Sequence, residues 1–184
     1  MVDLKEFEQK AADLRVLGMK ISIGQDTVYE KYWDEDCRRN IYSASKSFTS
    51  CAVGFAVQEG LIDLDERLMD AFKEDIPNNP DENLKKATVK DLLTMTLGQE
   101  KGFLMGKQRP RMEEQNWVKA SLAIPFVYEP GTHFVYNNVG PYLAGILVQR
   151  RAGCDLLSYL TPRLLKPLGI RKTIWEVDPE GNTF

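Results

Sequence analysis

Ser43 and Lys46 are the first pair of residues whose types and spacing could do chemistry. They stand three residues apart at the predicted start of a helix, so their side chains share one face. A serine hydroxyl is a weak nucleophile at neutral pH until a base takes its proton, and a lysine whose charge is disfavoured by burial and by the positive end of a helix dipole can be that base. The pair therefore predicts nucleophilic catalysis by Ser43. The alternative is that Ser43 caps the helix and that Lys46 is an ordinary surface lysine.

Tyr136 and Asn138 form a second candidate pair, a phenol two residues before an amide. They lie on a predicted extended segment just ahead of a helix, where alternate side chains point to the same side of the backbone. The phenol could relay a proton, and the carboxamide could hold a substrate amide. The alternative is structural: Asn138 would cap the following helix and Tyr136 would be an aromatic residue at a sheet edge.

A helix must follow Ser43 directly, because apolar side chains recur there at helical spacing. They are Phe48, Cys51, Ala52, Phe55 and Ala56, with Val53 and Val57 on the flanks and Gly60 at the end. This pattern predicts a central helix that is apolar on nearly every side. A cation is electrostatically unfavourable in the first turn of any helix, and a solvated lysine has little room on such a helix. The position of Lys46 therefore favours a functional role.

The remaining pattern predicts one amphipathic helix, one β-hairpin and a largely helical remainder. The first helix spans residues 4–14, and the hairpin pairs residues 19–23 with 27–33 around Gly24-Gln25-Asp26. Residues 75–81 and 99–111 are predicted loops, the second a long surface loop, and residues 129–132 form a turn. Further helices are predicted over residues 89–94, capped by Thr88, from Val139 to a stop at Gly153, and over residues 156–165.

Composition and charge exclude several classes of function. The 184 residues are 43% hydrophobic and 28% charged, as in one globular domain, and the formal net charge is −3. Basic residues are scattered among acidic ones, so we expect no nucleic-acid partner. Three widely spaced cysteines and the single histidine, His133, predict neither disulfides nor a metal site, and no cofactor is expected. The N-terminus lacks the pattern of a signal peptide and no stretch could span a bilayer, so we expect a cytoplasmic protein without membrane contact.

Together these motifs resemble the penicillin-recognising serine hydrolases, in the branch of class C β-lactamases and esterases, in which Ser-x-x-Lys is followed by Tyr-x-Asn. The resemblance covers nearly the whole chain. Its landmarks, in order, are the hairpin, residues 42–49, residues 60–65, residues 88–96, Pro130-Gly131-Thr132, Tyr136 with Asn138, and Pro167-Leu168-Gly169. It implies an α+β fold of the β-lactamase/transpeptidase type. It also implies that Ser43 is the acyl-accepting nucleophile, that Lys46 is its proton acceptor, that Tyr136 shares the proton transfer, and that Asn138 contacts the acylamide or ester side chain of the substrate.

The sequence departs from the family in its later part. No Lys-Thr-Gly or His-x-Gly follows Tyr136, and Lys172-Thr173-Ile174 has only the first two residues of that motif. We therefore expect an incomplete fold, with one partial domain over residues 1–184. It would comprise a helix and hairpin in residues 1–42 and a mainly helical lobe in residues 43–184, without the C-terminal sheet strands. The oxyanion hole would use the Ser43 N–H but lack its second donor, so we expect little or no hydrolysis by this polypeptide alone.

The resemblance leaves several functions and partners open. The expected substrates are small esters, amides or β-lactams. The alternative is a non-catalytic binding or assembly module that keeps the helical lobe. A second copy of the chain or a complementing C-terminal fragment could complete the sheet. His133 occupies a variable position in the family, and we expect it to be a turn residue.

Overall fold

The structure is a computed structural model that describes residues 3–35, 37–171 and 173–184. The chain divides into two compact units, residues 1–41 and residues 42–184, each of which is described by itself. The prediction of a single partial domain over residues 1–184 stays a prediction. Lys172, the first residue of the partial third motif, lies outside the described residues.

The described residues of the first unit, 3–35 and 37–41, form one helix and the predicted hairpin. Helix α1 is Lys5–Ala11, and strands β1 (Gly18–Ile23) and β2 (Asp26–Tyr32) pair in antiparallel fashion. The two-residue turn after Ile23 uses Gly24 at φ +62°, a left-handed conformation that glycine adopts without strain. Helix α1 is shorter than predicted, and Leu14, which was expected on its apolar face, is 66% exposed.

The second unit is helical. Its helices are α2 (Ser45–Gln58), α3 (Leu68–Ala71), α4 (Glu82–Lys86), α5 (Val89–Thr94), α6 (Trp117–Leu122), α7 (Val139–Ala152) and α8 (Leu156–Leu160). Two 3₁₀ turns cover Tyr42–Ala44 and Arg109–Arg111, and a wider helical turn, Thr161–Leu165, follows α8. Pro162 lies in that turn and has no N–H to continue the α-helical pattern. Helices α3, α4 and α6 were not predicted, because four to six residues are too few to show a helical period.

Helix α7 forms the centre of the core and packs against α2 and α5. Its residues 142–149 are all buried. The approach of α5 is close enough that a Cβ at Gly140 would lie 2.2 Å from the backbone oxygen of Leu92. Helix α5 begins with the predicted cap, since the Asp91 carboxylate accepts hydrogen bonds from both the N–H and the hydroxyl of Thr88. These contacts fix the N-terminal end of α7, which carries Asn138.

Helix α2 is less enclosed than its apolar composition predicts. One face packs in the core through Thr49, Ala52, Val53 and Ala56. The opposite face is exposed and carries mainly small residues, among them Ser47, Cys51 and Gly54. The helix is apolar on nearly every side, as predicted, but the expectation that it is enclosed on nearly every side was wrong. Cysteine, glycine and alanine bury little apolar area, so they can face solvent at small cost.

No helix among residues 3–35, 37–171 and 173–184 is long and apolar enough to cross a membrane.

Candidate functional site

Ser43 lies on the 3₁₀ turn that leads into α2. Tyr42, directly before it, has φ +46°, an unfavourable left-handed conformation for a residue with a side chain. Such strain is often found where a turn must present a functional group. The Ser43 hydroxyl does not cap the helix: Ala44 occupies the N-cap position, and no side chain caps it. Instead, Ser43 Oγ accepts hydrogen bonds from Tyr136 OH at 2.7 Å and from Lys46 Nζ at 3.1 Å.

Lys46 directs its ammonium group into this cluster. Besides the contact with Ser43, Lys46 Nζ donates to Asn138 Oδ1 at 2.8 Å. It also lies 5.3 Å from the centroid of the Tyr136 ring, within the range of a cation–π interaction. The side chain is half-buried, and the alternative of an ordinary surface lysine does not fit this geometry.

Tyr136 reaches the cluster from an irregular segment between the 129–132 turn and α7. This segment is anchored by a hydrogen bond from the Val135 N–H to the Met95 carbonyl at 3.0 Å, and it is not part of a sheet edge. The hydrogen bond with Ser43 lowers the pKa of the Tyr136 hydroxyl below its ordinary value, and the neighbouring Lys46 lowers it further against an opposing effect of burial. The phenol is therefore poised to lose a proton more readily than a free tyrosine.

Asn138 stands at the N-cap position of α7, but its side chain makes no capping hydrogen bond, so the structural alternative does not account for its amide. Its Oδ1 faces Lys46, and its Nδ2 donates to the Leu104 carbonyl at 2.9 Å. The buried neighbour Asn137 takes the capping role, because its Oδ1 accepts the N–H of Gly140 at 3.1 Å. The backbone carbonyl of Asn138 accepts the Tyr142 N–H in the first turn of α7, whereas its side chain is oriented by Lys46 on one side and by Leu104 on the other.

The loop over residues 102–104 contributes to the site in a way that sequence reasoning missed. The Phe103 carbonyl accepts the Asn138 N–H, and the Leu104 carbonyl accepts the Asn138 side chain. Gly102 allows this approach, since a Cβ there would lie 2.8 Å from the backbone carbonyl oxygen of Tyr136. Leu104 is fully buried at φ +55°. The predicted surface loop over residues 99–111 is therefore partly a supporting element, and only the glycine in the sequence hints at it.

All four predicted site residues come together in one cluster of hydroxyl, amine, phenol and amide. A nucleophilic oxygen within hydrogen-bond reach of two groups able to move its proton is the arrangement required for covalent catalysis. His133 directly follows the 129–132 turn, and its ring stacks on Tyr128 with ring centroids 4.2 Å apart. Among the described residues, no group of three or more His, Cys, Asp or Glu side chains could hold a metal ion. Cys37, Cys51 and Cys154 are exposed and free.

Comparison with known proteins identifies the family to which the chain is similar. A family profile described as beta-lactamase matches residues 5–183. The Monacolin J acid methylbutanoyltransferase of Aspergillus terreus is 31% identical over 157 residues, covering 74% of this chain and 37% of that protein. The lovastatin esterase of Penicillium rubens is 31% identical over 150 residues, covering 70% of this chain and 37% of the esterase.

Solved structures show the same fold. The octameric penicillin-binding protein homologue from Pyrococcus abyssi superposes with a TM-score of 0.72 at 24% identity, over 95% of this chain and 45% of that chain. A class C beta-lactamase gives 0.70 at 19% identity, over 89% and 47%. The predicted β-lactamase/transpeptidase-like fold is confirmed. The chain spans little more than a third of the length of the curated relatives and about half of the solved structures.

Proposed function

This chain belongs to the beta-lactamase family, and we propose that Ser43 is its acyl-accepting nucleophile. The observation that carries the proposal is the position of Ser43 Oγ, 2.7 Å from the phenol of Tyr136 and 3.1 Å from the amine of Lys46. Serine oxygen attacks the carbonyl carbon of an ester, amide or β-lactam, the bond to the leaving group breaks, and an acyl-serine forms.

Lys46 and Tyr136 share the serine proton in this proposal. When either group is in its basic form, it can accept the proton as the oxygen attacks and then pass it to the departing alcohol or amine. The lowered pKa of Tyr136 supports its part, since a larger fraction is phenolate at any given pH. Asn138 orients the Lys46 amine through Oδ1, and the second hydrogen of its amide is available to a substrate carbonyl.

The acyl-serine must then pass its acyl group to an acceptor. Of the two relatives named above, one is an acyltransferase by name and the other an esterase. We propose the same range here: transfer to water gives hydrolysis, and transfer to an alcohol gives acyl transfer. The chemistry at Ser43 is identical in both cases.

A finer proposal concerns the activity of residues 1–184 by themselves. The sequence contains no Lys-Thr-Gly or His-x-Gly after Tyr136. Removal of one oxyanion donor typically lowers turnover by about 10²–10³-fold. We therefore expect slow acylation and little or no turnover. A burst of p-nitrophenol from p-nitrophenyl acetate at full stoichiometry, followed by rapid turnover, would contradict this expectation without contradicting the role of Ser43.

The second candidate function is a non-catalytic binding or assembly module. The intact cluster of Ser43, Lys46, Tyr136 and Asn138 argues against it.

Labelling with a fluorophosphonate, read by intact-mass and peptide mass spectrometry, separates the two candidates. We expect one adduct on Ser43, lost in Ser43→Ala and kept in Ser47→Ala, a matched variant on the exposed face of α2. A folded protein, verified by circular dichroism, that takes up no label at Ser43 would refute the enzyme and favour the module.

A further inference from the structure

Gln108 lies outside the cluster of four site residues but is connected to it through a single peptide group. Gln108 Oε1 accepts a hydrogen bond from the Met105 N–H at 2.9 Å. The carbonyl of the same peptide group, that of Leu104, accepts Asn138 Nδ2 at 2.9 Å. Because a trans peptide group is planar and its N–H and C=O point in opposite directions, the two hydrogen bonds hold its plane from both ends.

The Leu104 carbonyl determines which way the Asn138 amide faces. A carbonyl oxygen only accepts hydrogen bonds, so the nitrogen of the amide must face it and Oδ1 is left for Lys46 Nζ, at 2.8 Å. A half-turn of the amide would place its oxygen against the Leu104 oxygen and its NH₂ group against the Lys46 amine. The orientation of this peptide group therefore sets the contact that holds Lys46 beside Ser43.

The backbone of Leu104 needs support from its surroundings. Its φ of +55° is an unfavourable left-handed conformation for a residue with a side chain, and such a conformation persists only where contacts on several sides hold it. On the inner side, the Leu104 side chain is fully buried, and the preceding Phe103 carbonyl accepts the Asn138 N–H at 3.2 Å. Gln108 is exposed and supplies the contact on the outer side.

The turn that carries Gln108 is anchored on both sides. The Gln108 N–H donates to the Met105 carbonyl at 2.7 Å, which closes the turn and brings the Gln108 side chain back to Met105. The next residue, Arg109, donates from Nη1 to Glu176 Oε2 at 3.0 Å, and its guanidinium lies 4.4 Å from the centroid of the Phe184 ring. The backbone of Gln108 is therefore held by the C-terminal segment, although its side chain is exposed.

We infer that Gln108 is a positioning residue for the acylation of Ser43. It takes no part in the proton transfer. It holds the peptide group between Leu104 and Met105, this group orients the Asn138 amide, and the amide places the Lys46 amine. The inference rests on the proposed function and adds to it a residue whose only route to the reaction is through Asn138.

The rate constant of Ser43 labelling by a fluorophosphonate, followed by intact mass, tests this inference. We expect Gln108→Ala to slow labelling about fivefold, the effect of losing one hydrogen bond between uncharged groups. Gln108→Glu keeps an acceptor for the Met105 N–H and should retain the rate of the unmodified chain, whereas Gln108→Lys offers only donors and should be slowed like Gln108→Ala. Gln115→Ala is the matched control, since Gln115 is also exposed and its Nε2 donates to the Glu113 carbonyl at 3.2 Å. Its rate should equal that of the unmodified chain.

A second measurement shows whether Gln108 acts through Asn138. In the Asn138→Ala background, Gln108→Ala should cause no further slowing, because the amide that the peptide group orients is gone. A general weakening of the fold would instead slow labelling by the same factor in both backgrounds.

The outcomes separate this inference from the proposed function. If the fluorophosphonate does not label Ser43 in the folded, unmodified chain, both are refuted. If Ser43 is labelled and Gln108→Ala reacts at the unmodified rate, only the role of Gln108 is refuted. The same holds if Gln108→Glu is as slow as Gln108→Ala, or if Gln108→Ala slows the Asn138→Ala variant by the same factor again. Should Gln108→Ala fail to fold by circular dichroism, Gln108→Glu and Gln108→Lys are compared directly, and equal rates refute the role of Gln108.

Discussion

Asn137 and Asn138 are adjacent residues with the same side chain and different partners. Asn137 is buried and closes the first turn of α7 through Gly140, whereas Asn138 connects Lys46 to the Leu104 carbonyl. Residue type alone cannot distinguish them. The difference comes from the backbone, which directs the Asn137 side chain toward the first turn of α7 and the Asn138 side chain toward Lys46.

This pair gives a direct test of the site. Asn137→Ala should lower the free energy of unfolding by about 1 kcal/mol, as expected for a lost helix cap, and leave the acylation rate of folded protein nearly unchanged. Asn138→Ala should slow acylation by about 10²-fold, because the Lys46 amine loses the contact that positions it. Urea unfolding and fluorophosphonate labelling rates measure the two effects. Equal labelling rates in both variants would contradict the role of Asn138.

Tyr136 gives a prediction in pH. Its pKa is lowered by the hydrogen bond with Ser43 and then by Lys46, so deprotonation occurs below the ordinary tyrosine value of about 10. If phenolate accepts the serine proton, the acylation rate should rise with pH through this lowered pKa. Tyr136→Phe should lose that rise and keep its fold. A rise of the same size and midpoint in Tyr136→Phe would show that another group accepts the proton.

At the scale of elements, the contact between α5 and α7 places Asn138. Gly140→Ala would put a Cβ 2.2 Å from the Leu92 carbonyl oxygen, and backbone on both sides cannot yield cheaply. We expect a loss of about 1–3 kcal/mol in the free energy of unfolding, with slower labelling of Ser43 in the molecules that remain folded. The control Gly54→Ala should be neutral or stabilising by up to about 1 kcal/mol, since it only improves helix propensity. Equal melting temperatures for the two variants would contradict this account.

Secondary structure could be predicted from the sequence where an element is long enough for its hydrophobic pattern to repeat, or where a cap marks its start. The hairpin, α2, α5 and α7 carry a strict period or a clear cap, and they were predicted close to their observed bounds. Helices α3, α4 and α6 are too short to show a period. The hydrogen bonds that Asn138 donates to Phe103 and Leu104 could not be predicted. Their acceptors are backbone carbonyls, which every residue type has. The four side chains of the site could be predicted as candidates, but their distances depend on packing between segments about ninety residues apart.

At the scale of the whole molecule, the hairpin carries exposed apolar side chains. Among the described residues, β1 and β2 form a sheet of two strands, and Ile23 and Val28 are 65% and 47% exposed. Unpaired strand edges favour association with another strand. We therefore propose that a second copy of the chain or a C-terminal fragment could pair with this hairpin.

Size-exclusion chromatography with light scattering tests the homodimer. We expect a mass near twice the 21.0 kDa of the chain at high protein concentration. Val28→Lys, which places a charge on the second strand, should shift the protein toward a monomer while its circular dichroism stays unchanged. A monomer of the unmodified chain at every concentration would rule out self-association of this kind.

The chain carries three tryptophans, and two of them could report ligand binding through their intrinsic fluorescence. Trp175 Nε1 donates to the Phe184 carbonyl at 2.6 Å, and Trp117 meets the Phe184 ring edge-on with ring centroids 5.3 Å apart. Trp33 belongs to the other unit and packs on Phe7. A ligand bound beside Phe184 would change the surroundings of the first two indoles and therefore their fluorescence emission. Occupancy could thus be followed in real time without any attached dye.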